Sequence, residues 1–482
     1  MDPIVVIGAG LSGLAAAAHL ARHGRRVVVL EAGRAVGGCC STEDVDGFRF
    51  NNGALYVATP ALLRHAFARL DIDFDACVRL RPIAVPQLAV LDSGTRVFTT
   101  TAEGAWIEGA DAAARTARYR AELGRLQQAW RPLYRRLIGR VLPAESSLPR
   151  ALFELWRHLP LLSGTVADVL RRHVSDPEAR AAAGAITLYT GLAPEHTPAT
   201  QIVGLIALLE EGFFLPEGGM GRIPQAIAER LRSDGGELRL NAAASRIEFH
   251  GARLRGVRLA DGGFQAARAV IATPSALAVV ARLLDPAIVP PRLRRRARRA
   301  PLSHRAISIQ LGIEPAAAAP AFAVNHVPLL EDQHRFHLPA ERTARWFGYT
   351  SPSTVLADLA PPRAAVVELF APAPPRRLAG ETTRAEVDAI AGRYVEALCR
   401  EQPLRVVRRR VLGPQDFAGQ RHLHEGALYG LSPAATPTDY FPRRSGLPGL
   451  YLAGQTTYPG YGVPTALLSG IHAAEAAMRE AP

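Results

Sequence analysis

An unbroken apolar run, IVVI from Ile4 to Ile7, stops at three closely spaced glycines and gives way to an alanine-rich stretch reaching about Gly24. A second run, VVVL, then ends in Glu31. Short β-branched runs of this length predict strands buried on both faces, and the small-residue stretch between them predicts a helix. From Thr101 to about Val174 the pattern turns helical. Trp130, Leu133, Tyr134, Leu137, Ile138 and Val141 are spaced along one face, and Arg131, Arg135, Arg136 and Arg140 occupy much of the other. Pro132 predicts a helix start or a kink there. Residues 202–209, IVGLIALL, predict an apolar helix, and another begins at Ile223. The stretch ELRLNAAASRIEFHGARLRGVRLADGGFQAARAVIATP alternates in the β manner, with turns at HGAR and DGG. SIQLGIE and AVVELFAP read as strands and 383–400 as a helix. Near the end, LYLA predicts a strand running into Gly454, a TYPGYG loop, and a helix beginning near Pro464, whose missing N–H suits a first helical turn.

The glycines between the first strand and helix, Gly8, Gly10 and Gly13, form G-x-G-x-x-G. Gly8 permits a tight turn, Gly10 lets the backbone approach a pyrophosphate, and Gly13 lets helix and strand pack closely. The helix N-terminus at Leu11 and Ser12 faces the phosphates. Glu31, followed by Ala32, is placed to accept hydrogen bonds from ribose hydroxyls. These pieces together predict a dinucleotide site.

At 482 residues the chain is long for one core and suggests about two or three lobes. Its formal charge is +13, and all 57 Lys+Arg residues are arginine. No zinc-finger spacing, basic zipper or aromatic-basic RNA motif accompanies that charge, so nucleic acid is not an expected partner. Cys39, Cys40, Cys77 and Cys399 show neither paired zinc spacing nor C-x-x-C, so no metal site is expected, and a reducing cytoplasm is the simplest compartment. The strand pattern already present at Ile4 argues against a secretory signal, and no apolar window approaches the ~18–20 residues of a spanning helix. The arginine-rich stretch from Trp130 to Leu162 admits two readings, a helix packed on a core or a peripheral contact with an anionic membrane.

Beyond Glu31 a second glycine pair, Gly37 and Gly38, precedes Cys39, in AGRAVGGCCSTEDVDGFRFNNGA. This segment resembles the glutathione-reductase-type FAD fold of flavin amine oxidases and carotenoid (phytoene) desaturases; many relatives carry a basic residue where this chain has Cys39. Residues 175–225 (S-D-P, L-Y-x-G-L-x-P, an apolar helix, P-x-G-G-M-G-x-x-P-Q) are similar to the desaturases in the order of their parts. So is H-x-G-x-x-x-G-L-x-P followed by L-Y-L-x-G near the end.

The resemblance implies an α/β fold, a Rossmann-like FAD-binding domain with an inserted α+β substrate domain that has a helical subregion. The FAD domain is expected from segments 1–78, 210–285 and 431–482. The substrate domain is expected from 79–209, with a membrane-facing helical part, and from 286–430. It also implies noncovalent FAD, with backbone contacts at Ala244 and Ala272 toward the adenosine and at Gly454, Gln455, Gly462, Val463 and Pro464 toward the flavin. Cys39 and Cys40 are read as packing residues. The implied reaction is removal of hydride from a long apolar, polyene or isoprenoid-like substrate to introduce C=C bonds. A polyene isomerase, a carotenoid oxygenase or a natural-product tailoring dehydrogenase on the same fold remains open. A flavin amine oxidase would be marked by an aromatic cage together with an acidic residue at position 455, and Gln455 there disfavours it. Among the titratable residues near the C-terminal motif, His422, His424 and Glu425, His424 is the candidate acid/base.

Overall fold

The computed structural model describes residues 2–101, 104–140, 163–314, 319–338, 344–376, 378–436 and 438–480. Five parallel strands form one sheet, in spatial order Glu237–Arg239, Val27–Leu30, Ile4–Ile7, Ala269–Ala272 and Leu450–Leu452. The central strand is buried along its whole length, because both faces of the sheet are covered. On one face Val6 and Val29 pack with Leu14 and Leu20 of the helix Leu11–Arg22 and with the helices Arg222–Ser233 and Val463–Glu480. On the other, Val5, Ile7 and Val28 meet Ile247, Leu254 and Val257 of a three-stranded antiparallel sheet. This is the expected α/β doubly covered sheet.

The helices Leu11–Arg22 and Val463–Glu480 approach until backbone touches backbone. A Cβ on Gly470 would lie 2.0 Å from the Ser12 carbonyl oxygen, and one on Gly13 would lie 1.8 Å from that of Gly8. Any side chain at either position would push the helix off its neighbour. The Ser12 hydroxyl seals the contact by donating to the Ala466 carbonyl at 2.8 Å.

A second, eight-stranded sheet runs Arg405–Leu412, Ala306–Glu314, Ala365–Pro372, Phe347–Thr350, Ala323–Val327, Gln87–Leu91, Arg96–Thr99 and Ala105–Glu108. Its pairings are antiparallel except Ala323–Val327 with Gln87–Leu91. The strand Ala105–Glu108 corrects the expectation of helix from Thr101; Trp106 there stacks on Phe98 of the neighbouring strand. The long helix then spans Ala112–Arg140 and continues through Pro132.

That helix also corrects the membrane-facing reading of its apolar stripe. Trp130 and Leu133 are fully buried and Tyr134 nearly so, packed in the same core as the helix Val203–Glu210. Arg131 donates to Glu210 at 2.6 Å, and the Tyr134 hydroxyl to Glu211. Periodicity reports that one face is apolar without saying what covers it. Val141 and the stretch 152–162 lie outside the described residues, as do the side chains of Leu137 and Arg140. No helix among the described residues is long and apolar enough to cross a membrane.

The hairpin Thr42–Val45/Phe48–Asn51 is bound to the second sheet and, through the Gly221 N–H that donates to Thr42 Oγ1 at 2.9 Å, to the start of the helix Arg222–Ser233. The Asn51 N–H donates to Glu368 Oε1 at 2.8 Å, and Gln310 Nε2 donates to the Asn51 carbonyl at 3.0 Å. Burial pushes the Glu368 carboxyl up to about 8, against the opposing pull of the Asn51 hydrogen bond. In the unfolded chain this group ionises from its ordinary value, whereas in the fold it stays protonated until about pH 8. Its contribution to stability is therefore fully present below the ordinary carboxylate range and is lost as pH rises toward 8. Glu368→Gln keeps the acceptor and removes the ionisation. The variant should match the parent in the free energy of urea unfolding at about pH 4 and exceed it at about pH 8, by on the order of a few kcal/mol. An equal difference at both pH values would show that Glu368 does not titrate this way.

Candidate cofactor and substrate site

The carboxyl ends of the parallel strands, the starts of the two touching helices and the inner end of the second sheet enclose a cavity of about 930 Å³. Of the residues expected at a cofactor, Gly8, Gly10, Leu11, Ser12, Glu31, Gly37, Gly38, Cys39, Gly454, Gln455, Gly462, Val463 and Pro464 all line it. Two helix N-termini, at Leu11 and Val463, thus open onto one space, where their free N–H groups favour negative charge.

Gly10 is the clearest sign of a bound group. Its φ of −71° is available to any residue, and a Cβ built there meets nothing within 4 Å. The protein itself does not require a glycine at this position; a ligand lying against the backbone does. Gly37 bridges to Gly10, so the second glycine pair closes over the first. The Glu31 carboxylate is fixed by N–H groups of Ala9 (2.6 Å) and Gly33 (2.7 Å), one on each oxygen. Each oxygen retains a lone pair for a ribose hydroxyl. The donors, the bare wall and the acid all suit an FAD-sized dinucleotide.

Some expected residues stand behind the wall instead. Gly13 serves helix packing. Ala272 is fully buried in the strand, and the turn after it, Thr273 to Ser275, is what reaches the cavity. Ala32 gives way similarly to Gly33. Ala244 opens a strand paired with Leu259; its neighbour Ala242 donates to the Glu31 carbonyl at 2.7 Å and so backs the acid. His424 does not line the cavity, which corrects its candidacy as acid/base. Burial lowers the affinity of its ring for a proton, and it is His422 that reaches the rim. The chain turns through positive φ at His422 and Glu425; Gln420 to Leu423 line the cavity, and His424 to Ala427 do not.

The far half of the cavity was not anticipated as a site. Tyr56 stacks on Phe213 (4.1 Å between centroids), Tyr429 leans on Tyr461 (4.8 Å), and His304 lies 5.7 Å from Tyr429. The Tyr429 hydroxyl donates to the Tyr189 carbonyl at 2.7 Å, and the Tyr189 hydroxyl to Asn325 Oδ1 at 3.0 Å. The histidines here are uncharged: burial pushes His304 down to about 3 and His337 down to about 4. Glu31 and Glu43, both at the dinucleotide end, are the only carboxylates lining the cavity among the described residues. Three of the tyrosines do carry a sequence signal. Tyr429 and Tyr461 sit immediately before a glycine and Tyr189 two residues before one, each within a segment whose spacing is distinctive, whereas His304 and His337 lie in stretches without one.

The family model described as flavin containing amine oxidoreductase matches residues 11–478. A zeta-carotene-forming phytoene desaturase of Myxococcus xanthus is 29% identical over 97% of this chain and 92% of its own length. A phytoene dehydrogenase of Streptomyces griseus is 30% identical over 98% and 95%. Among solved structures, an oxidoreductase from Methanosarcina mazei superimposes with a TM-score of 0.64 at 14% identity, covering 98% of this chain and 100% of its own. FAD is therefore the cofactor of the dinucleotide half of the cavity.

Two outcomes follow from this geometry. Burial raises the thiols of both Cys39 and Cys40, with Cys39 adding to the rise at Cys40, so neither offers a thiolate for attachment. Acid precipitation should accordingly release all the yellow chromophore to the supernatant, and colour retained in the pellet would contradict noncovalent binding. Glu31→Ala removes charge-assisted acceptors and leaves two N–H groups unpaired, so the FAD dissociation constant of the apoprotein should rise by at least about tenfold. An unchanged constant would mean that the dinucleotide lies elsewhere.

Proposed function

The chain belongs to the flavin-containing amine oxidoreductase family, and within it we propose a carotenoid-desaturase-like dehydrogenase that removes hydride from a long polyene or isoprenoid-like hydrocarbon to introduce C=C bonds. The observation that carries this reading is the uncharged aromatic half of the cavity. An ammonium group entering it would shed its water with no carboxylate among the described lining residues to replace it, leaving ring faces alone to offset the cost. An apolar chain gains about 25 cal/mol for each Å² it removes from water. Gln455, neutral and on the wall, adds no counter-charge. The names of the Myxococcus and Streptomyces relatives point the same way.

Bound FAD supplies the hydride acceptor. The protein's part is to hold the chain against it in a dry, shaped space. Tyr56, Phe213, Tyr429 and Tyr461 present ring faces that grip a flat conjugated segment by dispersion. The helix N-terminus at Val463 favours the negative charge that hydride arrival brings. His304 and His337 stay neutral, so no ionised side chain competes for that charge.

Anaerobic mixing of the purified holoprotein with micellar polyenes, saturated lipids and alkyl amines tests the proposal. Polyenes should bleach the flavin absorbance, and the other two classes should leave it unchanged. Bleaching by amines with none by polyenes would overturn it.

A further inference from the structure

The wall that continues from Gly37 and Gly38 carries more positive charge than the protein neutralises. Glu43 accepts hydrogen bonds from three arginines, Arg34 at 2.8 Å, Arg410 at 2.9 Å and Arg421 at 3.2 Å. Arg34 is 80% exposed and stays solvated, but the side chains of Arg410 and Arg421 are only 18% and 17% exposed. Neither of the latter two has another acidic partner among the described residues. The electrostatics at Glu43 show the imbalance directly: burial works to raise its carboxyl, yet the arginines outweigh burial and hold it below the ordinary range.

One carboxylate facing two largely desolvated guanidinium groups leaves a positive charge uncompensated, an expensive state unless an anion completes it. Of the two, only Arg421 lines the cavity. Its Nε–H is buried with no hydrogen-bond partner. Arg410 is further engaged by Gln310 Oε1 and Asn52 Oδ1 at 3.3 and 3.4 Å, so the unspent donor belongs to Arg421. Arg421 also lies beside Cys39 and acts on its thiol through space. Cys39 follows the glycine pair that folds over Gly10, where the Cβ position of Gly38 is 3.5 Å from the Gly10 Cα. The uncompensated guanidinium therefore stands just past the phosphate cradle, at a point where the backbone contributes a neutral thiol.

We propose that Arg421, held in place by Glu43, is a cofactor-binding residue whose guanidinium faces an anionic portion of FAD. The charge at this place in the wall is supplied across 378 residues of sequence. A planar guanidinium suits either a phosphate oxygen or the electron-rich edge of the flavin ring.

Titration of the apoprotein with FAD and with ADP, followed by flavin fluorescence and by calorimetry, tests this without measuring turnover. Arg421→Gln should raise the FAD dissociation constant by about tenfold or more, while Arg421→Lys retains most of the affinity. Adding Cys39→Arg to Arg421→Gln, which moves the guanidinium to the neighbouring position on the same wall, should recover part of the loss. A parallel loss for ADP locates the contact at the diphosphate, and a loss confined to FAD locates it at the flavin ring. FAD affinity unchanged in Arg421→Gln, or equal losses in Arg421→Lys and Arg421→Gln, would overturn the proposal, the second by showing that the residue matters as packing.

Discussion

Two backbone contacts set the geometry on which everything else rests: Gly13 against the Gly8 carbonyl and Gly470 against that of Ser12. They bring the helices Leu11–Arg22 and Val463–Glu480 onto each other and onto the parallel sheet more closely than any side chain permits. Their N-termini consequently open at the same end of the sheet. Were the helices a side chain's width further apart, the two sets of free N–H groups would address different volumes. The dinucleotide groove and the flavin-facing loop would then no longer form a single cavity.

The cavity joins two environments of opposite character. At one end are helix N-termini, Glu31, Glu43 and the arginines around it, all suited to a polar, charged cofactor. At the other are stacked tyrosines and phenylalanines with histidines whose burial keeps them neutral. The hairpin Thr42–Val45/Phe48–Asn51, whose Thr42 and Glu43 line the cavity, is fastened to the second sheet and to the start of the helix Arg222–Ser233. Its Asn51 backbone donates to Glu368 and accepts from Gln310 of that sheet, while Thr42 donates to its side-chain oxygen at 2.8 Å. A reacting carbon on an apolar chain can thus be presented to a charged cofactor with neither partner entering the other's surroundings.

What the sequence made legible was whatever is local. The strand–glycine–helix–strand–acid order of residues 4–31 names its own structure, because backbone conformation, helix start and hydrogen-bonding acid all lie within one βαβ unit. The Gly454–Pro464 loop was legible for the same reason. Illegible were features assembled from distant segments. The strands Gln87–Leu91, Arg96–Thr99 and Ala105–Glu108 join a sheet whose other members begin two hundred or so residues later, and no pattern within them says so. The aromatic chamber draws Tyr56, Tyr189, His304 and Tyr429 from four separate stretches. The stripe containing Trp130 and Leu133 shows the converse case, in which a correct period left two possible neighbours: the helix buries those residues in the core with Val203–Glu210, the first of the two readings. His424 was misplaced for a subtler reason, since motif proximity to the flavin segment says nothing about which way a positive-φ turn directs a side chain.

The order of the parallel sheet has a bearing on how the molecule is made. Its central strand, Ile4–Ile7, precedes the other described strands in the chain, while the edge strand Leu450–Leu452 and the helix after it follow all of them. Until then the outer edge of Ala269–Ala272 has no partner, and Ser12 has no Gly470 to meet. The growing chain therefore carries an open sheet edge and half a cofactor groove from the synthesis of Ala269–Ala272 until that of Leu450–Leu452. Closure of the edge and completion of the FAD pocket depend on the same C-terminal segment, and until it is in place the uncovered edge is open to pairing with other chains.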